Sequence, residues 1–152
     1  MGNAQSAPLK YKNFPKSICA SVNDIICHGI PNKVILSNGD ILNIDVTVIL
    51  DGWYGDTSRM YYIGYTIFNK SKLLIKVTYE SMIRAIKIVK PKIKLKELGK
   101  IIIKYVNKFG YTVVREYCGH GIGKNFHMYP NVLHYYDLKS SIILQEKIFF
   151  TI

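Results

Sequence analysis

The sequence is short of cysteine, arginine and acid. Its three cysteines, Cys19, Cys27 and Cys118, form no CxxC pair and cannot all be bridged to one another, which excludes a disulfide framework and implies a reducing compartment. No apolar run reaches the roughly 18 residues of a membrane helix, and no secretory pattern opens the chain, so the expected location is cytoplasmic, with no membrane partner. Met1-Gly2 with Ser6 formally fits a myristoylation pattern and carries little alone. Only Arg59, Arg84 and Arg115 are arginine, yet 21 Lys and Arg face 10 acids, a formal charge of +11. No Arg-rich or aromatic-interleaved patch stands out, so DNA is not an expected partner. The lysine excess has two readings: attraction to a polyanion such as ribosomal RNA, or drift in a chain rich in Lys, Ile, Asn and Tyr. With 152 residues, 49% of them hydrophobic, the chain is expected to form one domain with a core.

What is present centres on residues 40–62. Leu42, Ile44, Val46, Val48 and Leu50 alternate with Asn43, Asp45, Thr47 and Ile49, the period of a strand with one face on a core. Asp51-Gly52 then suits a tight two-residue turn, because both positions tolerate positive φ. With that turn, 49 pairs with 54 and 47 with 56, and Asp45 and Asp56 become diagonal neighbours on one face. Such neighbours lie on the order of 7 Å apart. Two carboxylates so placed repel unless a cation sits between them, and a divalent metal meets that need. The alternative is two solvated hairpin acids.

Residues 1–16 read as an irregular lead-in and 17–27 as extended, ended by His28-Gly29-Ile30-Pro31. Residues 71–90 read as an amphipathic helix capped by Ser71, with Ile75, Tyr79, Met82, Ile86 and Val89 on one face and Pro91 as its stop. A second helix is expected over 95–109, with Leu95, Leu98, Ile102, Tyr105 and Phe109 inward, Lys100, Lys104 and Lys108 outward, and Gly110 beyond its end. Strands are expected at 111–117 and in the final SSIILQEKIFFTI. Between them, Gly119-His120-Gly121-Ile122-Gly123 lacks the lysine and serine of a phosphate loop and does not make G-x-G-x-x-G. A histidine between glycines at a strand end suits a metal ligand better.

Three stretches together resemble type I methionine aminopeptidases: PKSICASVNDIICHGIP at 15–31, NIDVTVILDGWYGDTSRM within the hairpin, and EYCGHGIGKNFH at 116–127. The resemblance runs from about Asn3 to Ile152 and keeps the family's order. It implies the α/β (α+β) pita-bread fold, a curved antiparallel sheet with helices on one side, here incomplete. It implies that Asp45, Asp56 and His120 are metal ligands. It makes His28 a group contacting the scissile amide and His127 a group stabilising the carbonyl as it becomes tetrahedral. Tyr11, Phe14, Cys19 and Phe126 then line the pocket for the methionine side chain, with His28 and His127 also on the substrate. His134 matches no catalytic position. The implied activity is metal-dependent removal of the initiator methionine from nascent chains when the next residue is small. Cobalt, manganese, iron or zinc suit oxygen and imidazole ligands.

The chain also departs from the family pattern. Glu146-Lys147 stands where a Pro-Gly turn is usual, and Met128 where an acid is common. The family's N-terminal helical segment and C-terminal strands, the latter with two glutamate ligands, are expected to lie outside residues 1–152. A complete family site holds two ions, whereas three ligands suit one. Three readings follow: an aminopeptidase impaired by a partial ligand set, a half-enzyme needing a complementing chain, and a non-catalytic protein- or RNA-binding relative. The ribosome surface is a further expected partner through the basic charge.

Overall fold

The computed structural model describes residues 3–152, so Met1 and Gly2 of the acylation pattern lie outside it. The chain forms two compact units: one runs to Lys72 and takes in Gly123–Phe126, the other comprises Leu73–Ile122 and His127–Ile152. The element order of the first is β1 (Gln5–Ser6), β2 (Cys19–Val22), β3 (Ile41–Leu50) and β4 (Trp53–Tyr62).

The hairpin forms in the predicted register. Asp51 and Gly52 take φ of 52° and 75°, the pair of left-handed values that lets a two-residue turn match the twist of its strands. Leu50 then pairs with Trp53, Ile49 with Tyr54, Thr47 with Asp56 and Asp45 with Ser58. On its other edge β3 receives β2 along residues 42–45 and β1 at 48–49, all antiparallel. The expected one-sided burial is not observed. Leu42 is buried, but so is Thr47 of the opposite face, while Leu50 is 47% exposed. Mid-strand, β3 has chain on both edges, and the Thr47 carbonyl also accepts the Ala7 N–H at 3.0 Å. Its tip runs past that cover. The extended stretch expected at 17–27 is likewise shorter. Asn23, at φ 51°, turns the chain, donates to Asp40 at 2.9 Å and accepts the Ile41 N–H at 3.1 Å.

The second unit is built on helices α1 (Asn69–Ile86) and α2 (Lys96–Val106), with a short ribbon of β5 (Gly119–Gly121) and β6 (Met128–Val132). Helix α1 starts before Ser71, so that residue is inside the helix, and it ends before Pro91. Its inward stripe is also different from the expected one. Val77, Ser81 and Ala85, spaced by four, are buried, whereas Tyr79 and Ile86 are 59% and 47% exposed. Small residues allow close approach, so Ser81 and Ala85 take the contact face and the larger side chains are turned out. Helix α2 follows its pattern: Leu95 leads into it, Leu98, Ile102 and Val106 are buried, and a short 3₁₀ turn over Asn107–Phe109 ends at Gly110 with φ 75°. Phe109, however, is exposed. These residues form one core with Val77, Ala85, Val132 and Leu144. The Tyr105 hydroxyl donates to Glu80, and the Arg84 guanidinium lies 4.2 Å from the Tyr105 ring, tying α1 to α2.

Two expected strands are absent as such. Residues 111–117 keep the alternation, with Tyr111 and Val113 packed on the core, but they join no strand ladder among the described residues. The last segment pairs only in pieces. Leu144 exchanges hydrogen bonds with residues 92–93 at 2.9 Å, and residues 149–151 pair with β5. Between these pieces Glu146-Lys147 still turns, with Lys147 at φ 60°, a conformation that costs a lysine more than a glycine.

Candidate metal centre

In the first unit, pleating alone decides which side chains share a face. Cys19 pairs with Asp45, Asp45 with Ser58, and Thr47 with Asp56. Cys19, Asp45, Asp56 and Ser58 therefore project to one side, with the two carboxylates on a cross-strand diagonal. The Cys19 thiol reports their field. Burial, then the Asp45 carboxylate, then Cys27 and Asp56, push its pKa from 9.0 up to about 11. A neutral thiol thus stands beside two acids.

The loop carrying His28 is pinned to this sheet. The Ala20 N–H donates to the Gly29 carbonyl at 2.8 Å, and the Gly29 N–H donates to Ser21 Oγ at 3.1 Å. The space beside Gly29 is filled by backbone: a Cβ there would lie 2.2 Å from the Ala20 oxygen. His28 itself is exposed at φ 55°, a left-handed conformation uncommon outside glycine and concentrated at functional sites.

Aromatic residues gather nearby in the same unit. Phe126 meets Tyr11 at a ring-centroid distance of 4.9 Å and stacks on Tyr54 at 5.6 Å. The Tyr54 N–H donates to the Gly123 carbonyl at 2.8 Å, and Lys124 Nζ lies 4.2 Å from the Trp53 ring, so residues 123–126 dock on the hairpin tip. Phe14 is half-buried and closes the turn that holds Tyr11, donating its N–H to the Tyr11 carbonyl at 2.9 Å. Tyr54 was not singled out from sequence. Its signal was the register, which puts it on the Asp45 face opposite Ile49.

In the second unit, His120 lies half-buried on β5 and His127 exposed just before β6, with ring centroids 4.4 Å apart. The His120 Nδ1 is 2.9 Å from the Gly121 carbonyl oxygen. A carbonyl only accepts, so Nδ1 donates, and in the neutral ring Nε2 then carries the lone pair. The glycines around His120 serve close packing of the protein on itself. A Cβ at Gly119 would lie 2.1 Å from the Thr151 oxygen, and one at Gly121 2.4 Å from the Tyr129 oxygen. His134 has a buried Nε2 without a hydrogen-bond partner, and burial lowers its pKa.

Asp45, Asp56, Cys19 and His28 are thus described in one unit, and His120 and His127 in the other. Among the described residues no group of three or more His, Cys, Asp or Glu side chains is gathered for a metal ion. Within each unit the donors nonetheless fit one. A diagonal carboxylate pair offers hard oxygen ligands, and a histidine whose Nδ1 is engaged by a carbonyl offers Nε2. Among the described residues no helix is long and apolar enough to cross a membrane.

Known proteins resemble this chain over nearly its whole length. A methionine aminopeptidase of Rickettsia prowazekii is 56% identical over 150 residues, 99% of this chain and 58% of the relative. One from Escherichia coli K12 is 48% identical over 151 residues, 99% of this chain and 57% of the relative. The crystal structure of the methionine aminopeptidase from Rickettsia prowazekii superposes with a TM-score of 0.93 at 56% identity, covering 97% of this chain and 59% of that one. The fold is therefore that of the pita-bread proteins. The chain spans a little under three-fifths of the length of the curated relatives it matches, 58% of the first. The model of metallopeptidase family M24 matches residues 2–152, and the chain belongs to that family.

Proposed function

We propose that this chain carries the metal-binding hairpin and substrate-contacting residues of a metal-dependent methionine aminopeptidase acting on nascent polypeptides. The observation that carries the reading is the hairpin register, which makes Asp45 and Asp56 diagonal neighbours beside a neutral thiol. The names of the Rickettsia prowazekii and Escherichia coli relatives support the same activity. Asp45 and Asp56 in the first unit and His120 in the second are the proposed metal ligands; manganese, iron, cobalt and zinc all suit oxygen and imidazole donors of this kind. When bound, such an ion supplies the positive charge that polarises a peptide carbonyl and acidifies water.

The remaining work belongs to side chains. His127 donates a hydrogen bond to the substrate carbonyl oxygen as it gains charge. His28 does the same for the scissile amide and gives a proton to the leaving amine. Tyr11, Phe14 and Phe126 pack the methionine side chain, and Cys19, held neutral by burial and by its acidic neighbours, meets the thioether with a soft, uncharged surface. The finer proposals are a cytoplasmic location, contact with the ribosome surface through the lysine excess, and a complementing chain that adds further ligands. A non-catalytic relative is the poorer reading, because a carboxylate pair such as Asp45 and Asp56 repels without a cation and His120, His28 and His127 are present as well.

The test is methionine release from a Met-Ala-Ser peptide with added Mn(II) or Co(II) and an EDTA control. Release should be chelator-sensitive. It should fall by about a hundredfold or more in Asp45→Ala and in Asp56→Ala, since a Lewis acid supplies several kcal/mol. Release that is untouched by EDTA, or as fast in both variants as in the parent chain, overturns the reading.

A further inference from the structure

We infer that Thr151 is a positioning residue for His120, fixing its backbone and ring so that Nε2 is the nitrogen offered to a metal ion. The inference deepens the proposed function and rests on it for the role of His120.

β5 lies between two neighbours within its unit. On one edge it pairs with β6, where His120 faces Asn131 and the register shifts between His120 and Gly121. Such a shift bends a strand and re-aims a side chain, so this edge alone leaves the direction of the His120 ring underdetermined. On the other edge lie residues 149–151. The Ile122 N–H donates to the Phe149 carbonyl at 3.0 Å, and the Thr151 N–H donates to the His120 carbonyl at 2.8 Å. In a regular antiparallel ladder the return bond, from the His120 N–H, ends on the carbonyl of residue 151. Here the Thr151 side chain takes it: the His120 N–H donates to Thr151 Oγ1 at 3.0 Å. The Thr151 carbonyl oxygen is instead turned against Gly119, 2.1 Å from where a Cβ would stand.

Thr151 therefore grips both peptide groups that flank the His120 α-carbon, one through its hydroxyl and one through its N–H. Those two peptides set φ and ψ at His120. The contact between His120 Nδ1 and the Gly121 carbonyl, one residue along, depends on them. That contact fixes the tautomer. Partners that orient a ligating histidine change metal affinity by about 10–100-fold when removed. Valine matches threonine in shape and removes only the hydroxyl, whereas serine keeps the hydroxyl.

The experiment uses the full chain. Imidazole nitrogen NMR at a pH where the ring is neutral should show His120 protonated on Nδ1, and Thr151→Val should shift the proton toward Nε2. Mn(II) affinity by calorimetry should fall about tenfold in Thr151→Val and stay within about threefold of the parent in Thr151→Ser. In a His120→Ala background, Thr151→Val should have no further effect on Mn(II) affinity. A parent ring protonated mainly on Nε2 overturns the inference without any variant, so poor folding of Thr151→Val does not shield it. An equal loss of affinity in the His120→Ala background also overturns it, by making Thr151 merely structural. If His120→Ala leaves Mn(II) binding unchanged, the metal reading of His120 fails, and the tautomer comparison still decides what Thr151 does to the ring.

Discussion

The Cys19 thiol should act as a gauge of the carboxylate pair. It is 7% exposed and its pKa lies at about 11 rather than 9.0. At pH 8 a thiol of pKa about 11 is ionised in about one molecule in a thousand, against about one in ten at 9.0. Alkylation proceeds through the thiolate, so iodoacetamide should label Cys19 about a hundredfold more slowly than an ordinary thiol, before any slowing from restricted access. Burial is the largest cause of the shift and Asp45 the next. Neutralising the acid by Asp45→Asn should therefore recover only part of the reactivity, about threefold to tenfold, where half a pKa unit is about threefold. Asp56→Asn should recover less, because Asp56 is the smallest of the four causes. Saturating Mn(II) should accelerate labelling in the parent chain, since a cation between the acids reverses their field. It should do nothing in the Asp45→Asn, Asp56→Asn double variant. The assay is peptide-resolved mass spectrometry, which separates Cys19 from the half-buried Cys27 and Cys118. Equal Cys19 rates in the parent and in Asp45→Asn, or a labelling midpoint near 9, would refute the geometry from which the argument starts. The same shift sets a sign for stability. Between about pH 9 and about pH 11 the unfolded thiol loses its proton while the folded one keeps it, so stability from this group falls as pH rises through that window.

Two further predictions concern the second unit. Leu98 is fully buried at the centre of its core, so Leu98→Ala should destabilise by about 3–5 kcal/mol, read as a lower denaturant midpoint with unchanged slope. A loss below about 1 kcal/mol would mean that the α2 core packs otherwise. His134 has its pKa lowered by burial, so below about pH 6.5 the unfolded chain takes up a proton that the folded chain resists, and stability should fall with pH there. His134→Met should flatten that acid limb in a urea series run across pH; an unchanged limb would assign it to other groups.

The hairpin was legible because its information is local. A period of two, β-branched residues and Asp51-Gly52 fix strand, turn and register together, and register is enough to put Asp45 and Asp56 on one diagonal. Helix α2 was legible for a similar reason: its apolar stripe is regular and Gly110 ends it. Helix α1 was not, because its contact face is made of Ser81 and Ala85, whose small size signals nothing in a hydrophobic pattern. The alternation at 111–117 was real but cannot say whether a partner strand exists. The candidate site divides along the same line. Hairpin register singles out Asp45 and Asp56, and flanking glycines single out His120, whereas His28 and His127 are lone histidines that enter only through the family resemblance. The aromatic contact of Tyr54 with Phe126, the raised pKa of Cys19 and the grip of Thr151 on His120 join residues far apart in the chain. Only tertiary structure decides these, because each depends on which backbone groups the folded sheet edges bring opposite one another.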